Sequence, residues 1–204
     1  MSERGVSAHD GDSRRRLGKA DWTAAALAAL AEGGVAAVAI EPLAARLGTT
    51  KGSAYWHYPS RDALLHATLE RWEVEHTEAI ITMVGSESDP ARRLRVLLGS
   101  VLEHAAENQV EIAVLADADH PVVAPVLQRV TERRVSYLAS LFAELGYGRG
   151  EARRRALLAY AAYLGHAQLL RATPEVLPAA RSTQRRYLDQ TIRVLTQGGG
   201  PSTG

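Results

Sequence analysis

The chain has 204 residues, 46% of them hydrophobic, and a formal net charge of +1, enough apolar material for one domain or two small ones. It contains no cysteine, which excludes disulfides and thiolate metal sites. A net charge so close to zero means that any polyanionic partner must be held by local basic clusters.

Ala and Leu dominate, and aromatic residues make up only 5%, so the expected fold class is all-α. The opening MSERGVSAHDGDSRRR has no apolar core of the kind a secretory signal needs. Residues 1–15 are expected to be a disordered basic arm. Arg14, Arg15, Arg16 and Lys19 form a cluster suited to phosphates if a DNA-reading element lies beside it. A first helix carries Trp22, Ala26, Leu27 and Leu30 on one stripe, and Gly33-Gly34 are expected to end it. Pro42 is expected at the start of a second helix, whose apolar face holds Leu43, Ala44 and Leu47.

Gly48 then supplies a sharp turn, and Thr50 is expected to cap the next helix with its hydroxyl. That helix is unlike a core helix. Lys51, Ser53, Tyr55, Trp56 and His57 crowd donors and rings into two turns. Between Pro42 and Arg61 there is no acidic residue, while Arg46, Lys51 and Arg61 are basic. Two short helices around a glycine turn, the second rich in donors, predict a helix-turn-helix presented to a polyanion. Gly52 costs ~1 kcal/mol of helix propensity relative to Ala, which suits either close packing on the second helix or close approach of backbone to DNA. The consecutive rings Tyr55, Trp56, His57 and Tyr58 cannot all face one side, so at least one is expected to be exposed.

Pro59-Ser60 breaks the chain, and Ser60 can cap a long fourth helix with the apolar line Leu65, Leu69, Trp72, His76, Ile80 and Met83. Residues 85–90 read as a polar linker. Further helices are expected over 91–108, 111–118, 123–145, 151–172 and 180–197, with a break at Gly146-Tyr147-Gly148. Residues 198–204 read as a disordered tail. The longest apolar stretch, 156–170, is interrupted by Gly165, His166 and Gln168 and falls short of the ~20 residues of a membrane span. A cytoplasmic protein with no membrane partner is the expectation.

Residues 19–69 resemble the DNA-binding domain of the tetracycline-repressor-like (TetR) transcription regulators. The resemblance is carried by Ala25-Ala26, Glu32-Gly33-Gly34, Leu43-Ala44, the turn Gly48-Thr49-Thr50-Lys51-Gly52-Ser53, the run Tyr55-Trp56-His57-Tyr58, and Arg61 with Ala63-Leu64-Leu65. It implies a three-helix helix-turn-helix domain over 16–60 and a larger helical effector-binding and dimerisation domain over 61–197. It also implies roles. Thr50, Lys51, Ser53 and Tyr55 would contact phosphates or base edges, within a DNA-binding set that includes Thr49 and Ala54. Trp56 and His57 would lie against the DNA backbone, Arg61 would meet a phosphate, and Tyr58 would close the small core. One departure is the start of the second helix, Val38-Ala39-Ile40-Glu41, where the family commonly offers a hydroxyl. Glu41 would repel a phosphate or serve the helix N-terminus, where a carboxylate is worth ~0.3–1 kcal/mol.

Leu157, Leu158, Ala161, Ala162, Leu164, Ala167, Leu169 and Leu170 ring one C-terminal helix. A helix apolar all round is buried all round, which in a chain of this size points to a homodimer through the last two helices. Trp72, His76, His104, Tyr137, Tyr160 and Tyr163 are candidate ligand-binding residues, apolar bodies with polar tips. The implied function is a ligand-responsive transcription regulator, not an enzyme. It would be a repressor that binds palindromic double-stranded operator DNA as a homodimer and is released by a small apolar effector, with no cofactor or metal. Two alternatives are a regulator without an effector and a di-metal carboxylate bundle enzyme. The second is suggested by Glu73-x-x-His76 and Asp117-x-x-His120, which have the i, i+3 spacing of that ligand motif.

Overall fold

The computed structural model describes residues 17–105, 108–178 and 180–197, so the basic arm and the C-terminal tail lie outside the described residues. Among the described residues every regular element is a helix. The first, α1, is Lys19–Ala37. Asp21 Oδ2 accepts the N–H of Gly18 at 2.8 Å, satisfying an orphan donor and placing a carboxylate at the positive end of the helix. Gly33 and Gly34 kink α1 rather than end it. Gly34 has φ of 70°, a left-handed conformation that a residue without Cβ adopts freely.

Helix α2, Ile40–Arg46, makes Pro42 its third residue instead of its first. Gly48 turns the chain with φ of 64°, and α3 follows over Lys51–His57. Thr50 sits at the cap position, but its hydroxyl accepts no capping bond. Its backbone carbonyl accepts Ser53 N–H at 3.0 Å instead.

Helix α4, Arg61–Glu73, opens on Ser60, whose Oγ accepts Ala63 N–H at 3.1 Å. A π turn, Val74–Glu78, joins it to α5, Ala79–Gly85. A π turn is wider than an α turn and rotates the side chains beyond it. The expected single stripe therefore splits. Leu65, Leu69 and Trp72 are fully buried, whereas Met83 is 52% exposed.

Helix α6, Pro90–Glu103, stops earlier than expected; Asp89 caps it through Ala91 N–H at 3.0 Å, and Pro90 takes the first turn, where its missing donor costs nothing. Asn108 opens α7, Gln109–Ala116, by accepting Glu111 N–H at 3.3 Å. Then come α8, Val123–Glu144, and α9, Arg149–Ala172. A short 3-10 turn, Pro174–Val176, leads to α10, Arg181–Thr196.

Two apolar clusters hold these helices. One gathers Trp22, Leu30, Leu43, Leu64, Leu65 and Trp72 from α1, α2 and α4, and is closed by Val110 and Val114 of α7 and Val123, Val126 and Val130 of α8. The other joins Leu94 and Leu98 of α6, Leu141 and Phe142 of α8, Tyr160 of α9, and Ile192 and Leu195 of α10. Burying one such Leu or Phe is worth ~1.5–3 kcal/mol. The first cluster thus runs past residue 60, seating α1 directly on α7 and α4 on α8. An N-terminal helix-turn-helix is followed by a larger helical body. No described helix is long and apolar enough to cross a membrane.

Candidate nucleic-acid interface and ligand cavity

Helix α3 turns one narrow side inward and the rest outward. Ala54 is fully buried and Tyr58 nearly so. Ala54 therefore cannot meet DNA, a correction to the expected contact set; its methyl fills the small core instead. Thr50, Lys51 and Gly52 are exposed, Thr49, Ser53 and His57 are half-buried, and Tyr55 and Trp56 are 53% and 72% exposed. Large rings so exposed on a short helix are unusual for a self-contained surface. A Cβ on Gly52 would meet only Thr50 Oγ1 at 3.6 Å, so Gly52 does not serve packing on α2.

Lys51 Nζ pairs with Glu41 Oε1 at 3.0 Å across the turn, both side chains well exposed. Glu41, expected either to repel a phosphate or to serve the N-terminus of α2, here pairs with a cation. An exposed pair of this kind contributes little to stability, so it yields readily to a phosphate. Arg61 is different. Its Nε donates to Val38 O at 2.7 Å and its Nη2 to Val35 O at 2.5 Å. The expected phosphate contact is instead bonded to two backbone carbonyls at the end of α1. His57 Nε2 lies 3.0 Å from Leu17 O, and Tyr58 Oη donates to Lys19 O at 3.0 Å. Together they tie the chain that follows the basic arm to the end of α3. The Arg14–Arg16 cluster itself lies outside the described residues.

A cavity of about 400 Å³ opens between the π turn, α5, α6, α8 and α9. Its walls are mostly apolar: Ile80, Ile81 and Met83 from one side, Leu97, Leu98 and Val101 from another, and Leu138 and Ala159 opposite. Of the candidate ligand residues, His76, His104, Tyr137, Tyr160 and Tyr163 line it. Trp72 does not. It is fully buried in the first cluster, with the Arg134 guanidinium over its ring at 5.2 Å. The π turn explains this: α4 ends its apolar stripe in one core, and the chain beyond the turn faces the cavity.

The sequence reading missed the cavity's central polar feature. Arg134 Nη1 donates to Glu111 Oε1 and Oε2 at 2.9 and 2.7 Å. The same guanidinium donates to Thr77 Oγ1 at 2.8 Å and to His76 O at 3.2 Å. Glu111 is fully buried; Tyr160 Oη reaches it at 3.4 Å, and Asn108 Nδ2 bonds Tyr163 Oη at 2.7 Å. Burial works against the Arg134 charge, and the Glu111 carboxylate more than restores it. Burial also raises the Tyr160 and Tyr163 hydroxyls above the ordinary phenol value and lowers His76 below the ordinary imidazole value. The signal for Glu111 was present in Gln109–Ala116, where it is the one charge in an apolar helix. Its partner, 23 residues away, carried none.

The spacing that suggested a di-metal site is used otherwise. Glu73 pairs with Arg129, Nε to Oε1 at 3.0 Å, and Asp117 accepts Val35 N–H. Among the described residues no three His, Asp or Glu side chains converge. On the outer side of α9, Leu157, Leu158 and Leu169 are 49%, 57% and 38% exposed, and Val194 of α10 is 53% exposed. The all-round apolar helix expected from the sequence is covered on one side by its own chain and bare on the other.

Residues 23–68 match the model of the bacterial regulatory proteins, tetR family. The chain is similar in structure to a transcriptional regulator from Rhodococcus sp. Rha1, with TM-score 0.74, 24% identity, and coverage of 89% of this chain and 97% of that one. It is similar to a TetR transcriptional regulator from Legionella pneumophila, with TM-score 0.71, 16% identity, and coverage of 87% and 98%. A third similar structure is AibR in complex with isovaleryl coenzyme A and operator DNA, with TM-score 0.62, 18% identity, and coverage of 85% and 97%. No curated protein sequence matches the chain. The N-terminal helix-turn-helix is thus a TetR-family DNA-binding domain, and the chain as a whole has the fold of the TetR-family transcription regulators.

Proposed function

We propose that this protein is a ligand-responsive repressor that binds a palindromic operator as a homodimer and is released by a small, largely apolar molecule. The observation that carries the reading is continuity between two sites. The rod formed by α4, the π turn and α5 begins beside α3, packs Leu65, Leu69 and Trp72 into the first cluster, and then supplies His76, Thr77 and Ile80 to the cavity wall. One rigid element touching both sites can bias both equilibria.

Residues 16–60 would be the reading head and 61–197 the effector and dimerisation part. Thr50, Lys51, Ser53, Tyr55 and Trp56 would meet DNA, flanked by Thr49 and His57. Cations and hydroxyls would hold phosphates, and one or two side chains would reach base edges. A single short helix-turn-helix reads DNA weakly. Two heads set ~34–36 Å apart reach successive major grooves, and the bare apolar side of α9 and α10 supports the pairing. The AibR complex holds both an acyl thioester and operator DNA, which supports an effector reading for this fold. A regulator of this kind acts in the cytoplasm, where the DNA is.

The test is reciprocity. Fluorescence anisotropy on the DNA upstream of the gene should show specific binding that a cavity ligand weakens by ~5–150-fold, and the DNA should weaken that ligand by the same factor. Equal DNA affinity with and without a bound ligand would leave the cavity outside regulation.

A further inference from the structure

The cavity holds a buried cation that looks, in isolation, like a receptor for an acid. Arg134 lines the wall, and its side chain is only 12% exposed. A lone guanidinium there would be a strong reason to expect a carboxylate or phosphate ligand, because arginine forks match those anions. The structure assigns the opposite preference. Resting on the reading of this cavity as an effector site, we infer that it selects an uncharged, largely apolar ligand and discriminates against acids and amines alike.

The reason is that the charge is already cancelled inside the protein. Glu111 is fully buried and takes two bonds from Arg134 Nη1 at 2.7 and 2.9 Å. The remaining face of the guanidinium is committed to Thr77 Oγ1 at 2.8 Å, to His76 O at 3.2 Å and to the Trp72 ring. Breaking a buried pair leaves an uncompensated charge, a far larger penalty than losing a surface pair. A ligand carboxylate arriving beside Arg134 would have to displace Glu111, or sit as a second anion against the same cation. A ligand ammonium would meet Arg134 itself, with Glu111 behind it. Both pay desolvation with no partner waiting.

The rest of the wall agrees. Burial lowers the His76 pKa below the ordinary imidazole value and so favours its uncharged form. Ser100 and Thr77 offer hydroxyls. Tyr137 contributes its ring to the wall, and its hydroxyl is buried with no partner among the described residues. Buried hydroxyls are normally paired, so a ligand acceptor that came within reach would satisfy it. An apolar body with one uncharged acceptor, such as an alcohol, ketone, ester or ether, fits about 400 Å³ of this chemistry.

The test uses three probes of equal chain length on the full chain at pH 7.5: decanol, decanoate and decylamine, each titrated by calorimetry. Decanol should bind at least tenfold more tightly than either ion. Decanoate or decylamine binding as tightly as decanol would overturn the inference while leaving the effector reading intact. Binding by none of the three would overturn both. Two variants separate the buried pair from the general apolarity of the cavity. Glu111→Gln unmasks Arg134 and should shift the decanoate-to-decanol ratio at least tenfold toward decanoate. Glu111→Gln with Arg134→Met removes both charges and should keep the parent's ranking. The double variant stays informative if the single one fails to fold, since a double variant that favours decanoate would also overturn the inference.

Discussion

Asp117, the residue at the C-terminal cap of α7, accepts the backbone N–H of Val35 through Oδ2 at 3.1 Å. The bond joins a helix of the larger body to α1 just past its kink. A Cβ on Gly34 would lie 3.3 Å from the same oxygen, so the left-handed glycine and the carboxylate are fitted to one another. Six residues before Asp117 on the same stretch of chain stands Glu111, the anchor of Arg134 in the cavity wall. Alongside the α4 rod, α7 is therefore a second physical link between the cavity and the DNA-reading helices.

Replacing Asp117 with Ala should cost ~1–3 kcal/mol of stability, the typical cost of orphaning a buried donor, read by chemical denaturation. It should also shrink the effect of a cavity ligand on DNA affinity, because one of two links is cut. Full coupling at reduced stability would confine Asp117 to a structural role.

Lys51 and Arg61 should part company. Lys51→Ala removes an exposed cation whose Glu41 partner is easily displaced, so it should weaken binding to all duplexes and lower the salt slope by about 1. Arg61→Ala removes bonds to Val35 O and Val38 O, so it should lower the melting temperature and leave the salt slope unchanged. Salt titrations by anisotropy, with melting curves on both variants, distinguish the two. A parent-like slope for Lys51→Ala would remove it from the interface.

The pairing of subunits can be tested on side chains that a single chain leaves bare. Leu158→Asp with Leu169→Asp should yield folded monomers, since both leucines are exposed within one chain and an unpaired carboxylate is strongly disfavoured in an apolar interface. Light scattering should report half the parent mass, with unchanged helicity. An intact dimer would move the interface elsewhere.

Stability should fall with acid through two histidines. Burial lowers the pKa of His76 and of His166, and in each the burial effect is the largest. Both therefore take up protons in the unfolded chain near the ordinary value of 6.5, and in the folded chain only at lower pH. The stability they contribute is present above about 6.5 and is lost as pH falls through the lowered folded values. Melting curves between pH 7.5 and 5 should show a decline that is shallower in the His76→Gln, His166→Gln variant. Parallel declines would assign the acid sensitivity to other groups.

What the sequence determined by itself lies in local pattern. The helices, the glycine turn at Gly48, the Ser60 cap and the outward rings of α3 are set by residues within a few positions of each other, where propensity and periodicity act directly. The burial of Ala54 and the exposure of Trp56 follow once α3 is placed, but only packing fixes which side is placed inward. The tertiary structure decided what depends on partners far along the chain. Arg61 became a carbonyl tie because folding brings the start of α4 against Val35 O and Val38 O at the end of α1. Trp72 left the cavity because a π turn, which leaves no mark in hydrophobic spacing, rotated the helix beyond it. The cancellation of Arg134 by Glu111 depends on two helices meeting side by side, and charge balance inside a cavity is a property of that meeting rather than of either segment.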